Sequence, residues 1–193
     1  MEPIRAFIAI ELPSQIKAAL AQLQDNLRTS KSASVKWVDP EGIHLTLKFL
    51  GNVDESEISA LTKTLSEAVR GVAPFSIQLG DPGAFPNAHA PRVVWVGVGG
   101  EIEPLLILHN NIDRVLAPLG FPPEKRTFSP HLTLGRVREE TLPGERRRLG
   151  ENVATLKTGV KSSFKAESLS LMRSKLSREG ATYSRLASFE LCG

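Results

Sequence analysis

Residues 44–51 read HLTLKFLG and residues 131–137 read HLTLGRV, so two of the chain's four histidines head the same tetrapeptide, 87 positions apart. From ordinary residue frequencies, two of four histidines each followed by Leu-Thr-Leu arise by chance on the order of once in a few hundred chains. On a strand the side chains alternate faces, so His44 and Thr46 share one face while Leu45 and Leu47 share the other. His131 and Thr133 stand in the same relation to Leu132 and Leu134. Each copy offers one wet face and one core face, and strict alternation adds Lys48 to the face of His44, where solvation explains it as well as a role in the site does.

Two imidazoles brought together from different strands suit paired acid and base work near neutral pH, one accepting a proton while the other donates. A threonine two residues along can donate to a ligand oxygen held between them. Attack on phosphorus needs this set: a base for the nucleophile, an acid for the leaving oxygen, and donors for the remaining oxygens. Zinc is the other common use of histidine pairs, but there is no HExxH pattern and the single cysteine, Cys192, cannot build a thiolate site.

Around the motifs, IRAFIAIE at 4–11 reads as a strand closed by Leu12-Pro13. Ser14 then caps a helix to about Arg28, with Ile16, Ala19, Leu20, Leu23 and Leu27 on one stripe. VKWV at 35–38 and IHLTLKFLG at 43–51 are two strands around the Asp39-Pro40-Glu41-Gly42 turn. A second helix is expected from Asp54 to Arg70-Gly71, acidic in its first turn. PFSIQLGDPGAF and RVVWVGVG add strands split by a loop at 82–91, and a third helix covers about 101–118. After FPPEKRTFSP comes the second HLTL, and then a basic turn at 144–150 and a short helix near 152–158. FKAESLSLMRS and ATYSRLASFEL close the chain as strands joined by a KLSREG hairpin. The pattern predicts an α+β protein with antiparallel sheet, in two halves that each hold one motif. With no long linker between them, residues 1–193 read as a single domain.

The bulk numbers fit an ordered protein: 193 residues, 41% hydrophobic, with no long like-charge run. A lone cysteine excludes an intrachain disulfide and points to a reducing cytoplasm. MEPIRAFIAI lacks the layout of a secretory signal, and no stretch is apolar enough to span a membrane. A net charge of +3 and a pI near 9.2 hint at an anionic partner such as RNA without deciding it.

RAFIAIELP, WVDPEGIHLTLKFLG, AFPNAHAPRVVWVGV, FSPHLTLGRV and SLSLMRSKLSREGATYSRLASFEL, in that order, resemble the bacterial and archaeal RNA 2′,3′-cyclic phosphodiesterases. That family was historically named 2′-5′ RNA ligase and belongs to the two-histidine (2H) phosphoesterase superfamily, whose signature is a duplicated His-x-Thr. The resemblance spans essentially the whole chain. It implies two pseudo-symmetric lobes of antiparallel sheet backed by helices around a central cleft. It also implies hydrolysis of a 2′,3′-cyclic phosphate at an RNA 3′ end, such as that of a tRNA fragment, to a 2′-phosphomonoester, with neither metal nor nucleotide cofactor. Carried over by position, His131 is the base that activates water, His44 the acid that protonates the 3′ oxygen, and Thr46 and Thr133 hold the non-bridging oxygens. Arg136 matches a phosphate-binding arginine of similar proteins. Alternation places it opposite His131, so that role requires a bulge, for which Gly135 is the expected source.

His89 and His109 lack a motif and are read as structural or surface residues, while Trp37, Trp95 and Phe49 sit in apolar runs and are read as core. Phe7 and Tyr183 are the candidates for stacking a nucleobase. The Arg146-Arg147-Arg148 run is read as a solvated basic turn rather than an RNA contact. A monomer suffices for all of this. Two alternatives share the site: a module that binds RNA ends without turnover, and a phosphodiesterase for a small cyclic nucleotide. The chemistry of ligation, an RNA 5′-hydroxyl in place of water, is open to the same groups.

Overall fold

The apolar run at the N-terminus sends Ile4, Ala6, Ile8 and Ile10 into the main core, while Phe7 and Ala9 are buried on the other face in a small separate cluster. A strand covered on both faces reads as a continuous apolar stretch. In the computed structural model, which describes residues 3–28, 34–157, 162–177 and 180–193, this is β1 (Ile4–Glu11). Helix α1 (Ser14–Arg28) follows, its first turn closed by the Pro13 carbonyl, which accepts from the amides of Ile16 and Lys17. Its buried stripe is Ile16, Leu20, Leu23 and Leu27, with Gln24 among them.

The remaining elements are β2 (Val35–Trp37), β3 (His44–Val53), α2 (Ile58–Ala68), β4 (Phe75–Phe85), β5 (Val93–Gly100), α3 (Ile102–Leu116), β6 (His131–Val137), α4 (Pro143–Thr155), β7 (Ser163–Ala166), β8 (Ser168–Leu176) and β9 (Ala181–Glu190). The strands form two sheets with antiparallel pairing throughout, one in the order β3-β1-β8-β9 and the other β2-β6-β5-β4-β7. The α+β class with two antiparallel sheets is as expected.

The sheets are not the two halves of the sequence. β2 and β3 flank the Pro40–Gly42 turn, yet β2 pairs with β6 and β3 with β1. Near the other end the chain crosses back at Glu167, leaving β7 on β4 and β8 on β1. The run read as one strand from Phe164 is therefore two. Two further expectations change. The segment 82–85 is strand rather than loop, because β4 bulges between Leu79 and Pro82 and continues to Phe85 against Val93. The basic segment 144–150 is not a turn but most of α4, which Pro143 opens. The closing hairpin forms, with Leu176 opposite Ala181 and the Ser177 amide donating to the Gly180 carbonyl. Its tip, Arg178 and Glu179, lies outside the described residues.

Candidate active site

Both motif strands carry a bulge at the same place. Opposite β3 the register jumps from Ala9↔Thr46 to Ile8↔Lys48, which leaves Leu47 as the extra residue. Opposite β6 it jumps from Trp95↔Thr133 to Val94↔Gly135, which leaves Leu134 extra. A bulge turns two successive residues toward one side, and here Leu47 with Lys48, and Leu134 with Gly135, are buried. The residue five past each histidine then returns to the histidine's face. Those residues are Phe49 and Arg136, and both line the cleft between the sheets.

The bulge that Arg136 required is present, with Leu134 as its extra residue and Gly135 beside it. The same device overturns two other expectations. Lys48 does not share the face of His44: it is only 3% exposed, and its Nζ lies 2.5 Å from Asp113 Oδ1 and 2.8 Å from the Pro122 carbonyl. Phe49 is not core but 61% exposed on the cleft.

The cleft has a volume of about 1050 Å³ and brings His44, Thr46, His131, Thr133 and Arg136 together from both sheets. Each imidazole is tied in the same way. His44 Nδ1 is 2.8 Å from the Gly42 carbonyl, and His131 Nδ1 is 2.7 Å from the Ser129 carbonyl. A carbonyl only accepts, so in each ring Nδ1 carries a proton and Nε2 is the atom left to exchange one.

Each ring is also framed by aromatics from its own sheet. Phe7 stacks on His44 at 4.5 Å, and Tyr183 meets it edge-on at 4.9 Å. Phe85 meets His131 edge-on at 5.0 Å, with Trp95 at 6.3 Å. Burial among these rings holds the His44 pKa below its ordinary value, against the Gly42 hydrogen bond and the charge of Glu11, which raise it. Glu11 lies opposite His44 across the β1–β3 ladder and is held by Arg185 and Ser170. Phe7, expected as a base-stacking ring, is 2% exposed and already occupied by His44.

Three participants escaped the sequence reading. Gln24, fully buried, donates from Nε2 to the carbonyls of Val38 and of Leu134, the bulge residue of β6. A glutamine inside the α1 stripe at Leu20, Leu23 and Leu27 was the available signal. His109, read as structural or surface, lines the cleft with its ring stacked 4.1 Å from Phe128. Arg146, read as solvated, is held by the protein instead: its guanidinium donates to the carbonyls of Thr141, Pro91, Arg138 and Glu139. No group of three His, Cys, Asp or Glu side chains that could hold a metal ion occurs among the described residues. No described helix is long and apolar enough to cross a membrane.

Comparisons with known proteins give the chain its family and match its fold. The family model described as "LigT like Phosphoesterase" matches residues 10–95 and again 96–183, one match for each motif. The RNA 2′,3′-cyclic phosphodiesterase of Methanothermobacter thermautotrophicus is 36% identical over 188 residues, covering 97% of this chain and 99% of that one. The protein of that name from Aquifex aeolicus is 28% identical over the full length of both. Among solved structures, E. coli LigT in apo form superposes with a TM-score of 0.79 at 27% identity, covering 100% of both chains. The Thermus thermophilus protein TT0787 gives a TM-score of 0.78 at 28% identity over 97% of this chain and 98% of that one. The chain belongs to the LigT-like phosphoesterase family.

Proposed function

We propose that this protein hydrolyses the 2′,3′-cyclic phosphate at RNA 3′ ends to a 2′-phosphomonoester. One observation carries the reading: two histidines from different sheets, each with Nδ1 fixed by the carbonyl two residues back, turn Nε2 as the free proton carrier into one cleft. Relatives named RNA 2′,3′-cyclic phosphodiesterase, and E. coli LigT crystallised with 3′-AMP, support a nucleotide phosphate as the ligand.

In this mechanism His131 Nε2 takes a proton from water as the water oxygen bonds to phosphorus. The bond from phosphorus to the 3′ oxygen breaks, and His44 Nε2 gives that oxygen a proton. Thr46 and Thr133 donate to the non-bridging oxygens, and Arg136 balances the charge that grows on them. Burial leaves free His44 poorly protonated. The arriving phosphate anion favours its charged form, so the substrate itself loads the acid. Phe49, the exposed ring of the cleft, stacks the terminal base in place of Phe7. An RNA 5′-hydroxyl replacing water in the same step yields a 2′-5′ linkage, which is the ligation reaction.

The physiological setting we infer is a monomer in the cytoplasm acting on RNA fragments such as those of tRNA, without metal or nucleotide cofactor. A single cysteine supports the reducing compartment. The exchange of β2 and β8–β9 between halves supports one two-lobed domain over residues 1–193, since both sheets contribute to one buried cluster.

The test is cleavage in EDTA of an RNA oligomer ending in a 2′,3′-cyclic phosphate, with the product phosphate assigned. The wild type is expected to give a 2′-phosphate, and His44→Ala and His131→Ala are each expected to lose about a hundredfold or more. Binding without turnover by the wild type would leave an RNA-end-binding module instead.

A further inference from the structure

The cleft carries more positive charge than one terminal phosphate uses. Arg5, Arg92, Arg126 and Arg136 all line it, and among the described residues none of them has an ion-pair partner. Glu124 is the one carboxylate on the cleft wall among those residues. A cyclic phosphodiester brings a single negative charge, which Arg136 and the two imidazoles already face. Among the described residues Glu124 can balance only one of the other three arginines.

Arg5 is the best placed of these. Along β1 the cross-strand partners in β3 run Glu11↔His44, Ala9↔Thr46, Phe7↔Phe49 and Arg5↔Asn52. Arg5 therefore stands on the cleft side one step beyond the Phe49 ring. From the level of Thr46 it is four residues along the strand, roughly 13 Å at the usual strand rise. One nucleotide and the length of an arginine side chain together span that distance. Arg5 is also one member of a polar rung across the sheet, because it pairs with Ser174 and Ser174 pairs with Tyr183. All three line the cleft. Arg136 lines the same cleft from the opposite sheet, and its charge and that of Arg5 both favour ionisation of the Tyr183 hydroxyl, against the larger effect of burial.

We propose that Arg5, with the hydroxyls of Ser174 and Tyr183 on the same rung, forms a second anion subsite that takes the internucleotide phosphodiester preceding the terminal nucleotide. The inference rests on the proposed function and narrows its substrate to an RNA strand rather than a free cyclic nucleotide. It assigns the strand a direction, from the histidines past Phe49 toward the start of β1.

The experiment compares kcat/KM for a cyclic mononucleotide with that for a dinucleotide ending in the same cyclic phosphate. The enzymes are the wild type, Arg5→Ala, Arg5→Lys and Arg126→Ala, over a range of salt. Arg5→Ala is expected to lower the dinucleotide-to-mononucleotide ratio about tenfold, as loss of a charge-assisted hydrogen bond does. Its salt slope on the dinucleotide should also fall by about one phosphate contact, with Arg5→Lys intermediate. A ratio unchanged in Arg5→Ala, or one that falls in Arg126→Ala instead, overturns the subsite. A wild type that turns over neither substrate overturns the proposed function. In that case equal binding of the dinucleotide to wild type and Arg5→Ala overturns the subsite as well.

Discussion

Lys48 and Gly135 occupy the same offset in the two motifs, four residues past the histidine and directly behind the bulged leucine, yet one is a buried cation and the other has no side chain. The difference follows from what lies outside each strand. β3 ends its sheet, so the chain at Lys48 is free to reach Asp113 on α3 and the Pro122 carbonyl. β6 is covered by β2, whose Val35 and Trp37 fill that space. A pseudo-symmetric pair has thus diverged to suit one open edge and one closed edge.

A methyl group at position 135 should therefore be costly. A Cβ there would lie 2.7 Å from Val35 Cγ1 and 3.0 Å from Trp37 Cε3, both on the paired strand. Gly135→Ala is expected to destabilise the protein by about 1–3 kcal/mol as an overpacked site. It should also lower kcat/KM, because Arg136 is the next residue. Denaturant unfolding reads the first effect, and an unshifted midpoint would show that β2 yields freely.

Lys48→Ala makes the complementary test. It strands the Asp113 carboxylate, 13% exposed, without its cation. The expected loss is about 3 kcal/mol, the low end for breaking a buried pair. Replacing both residues, Lys48→Met with Asp113→Leu, should recover most of it. If the single and double variants unfold alike, the pair is not the stabilising element and the lost hydrogen bond from Lys48 to the Pro122 carbonyl is.

The ionisation of His44 gives a prediction with a definite sign. Its pKa in the folded protein lies below the ordinary 6.5, chiefly through burial. The unfolded chain then binds the proton more readily, so stability is fully present above about pH 6.5 and declines as pH falls through the window between the two values. NMR titration should place the His44 midpoint below 6.5. Glu11→Gln should lower it further by removing the carboxylate that favours the charged ring. As the general acid, His44 should set the alkaline limb of kcat/KM, which falls as pH rises through the same midpoint. A His44 midpoint above 6.5 would mean that Glu11 outweighs the aromatic enclosure.

The parts of this site legible in the sequence were those that repeat. His44, Thr46, His131 and Thr133 stand out because a tetrapeptide recurs, and the β1 and α1 boundaries followed from a closed apolar run and a clear stripe. What strict alternation could not supply was the bulge at Leu47, so Lys48 and Phe49 were assigned to the wrong sides by one residue. At Arg136 the same error was avoided because the family resemblance asked for an arginine there, and Gly135 offered a place for the bulge that role required. Strand pairing was beyond local reading for another reason. The turn at Pro40–Gly42 looks like a hairpin from its residues alone, and only the uncovered edge of β6 draws β2 away to the other sheet. Gln24 belongs to that long-range class too, since a polar residue on an apolar stripe signals a partner without naming it. Here the partners are two carbonyls, Val38 just before the first motif and Leu134 inside the second.

Arg146 separates a structural arginine from an RNA-binding one. The basic run at 146–148 suggests a phosphate contact by composition, but its members differ. Arg147 pairs with Glu151 along the exposed face of α4, whereas Arg146 turns inward to four carbonyls. Those carbonyls belong to Pro91, which precedes Arg92 at the cleft, and to the segment that follows β6. Arg146→Ala should cost about 2 kcal/mol, since several acceptors lose a charged donor while some remain open to water. Arg147→Ala should stay within about 0.5 kcal/mol of the wild type, as exposed pairs do. Neither change is expected to alter the salt slope of RNA binding. A slope reduced by about one in Arg146→Ala would mean that the guanidinium leaves its carbonyls for a phosphate when RNA arrives.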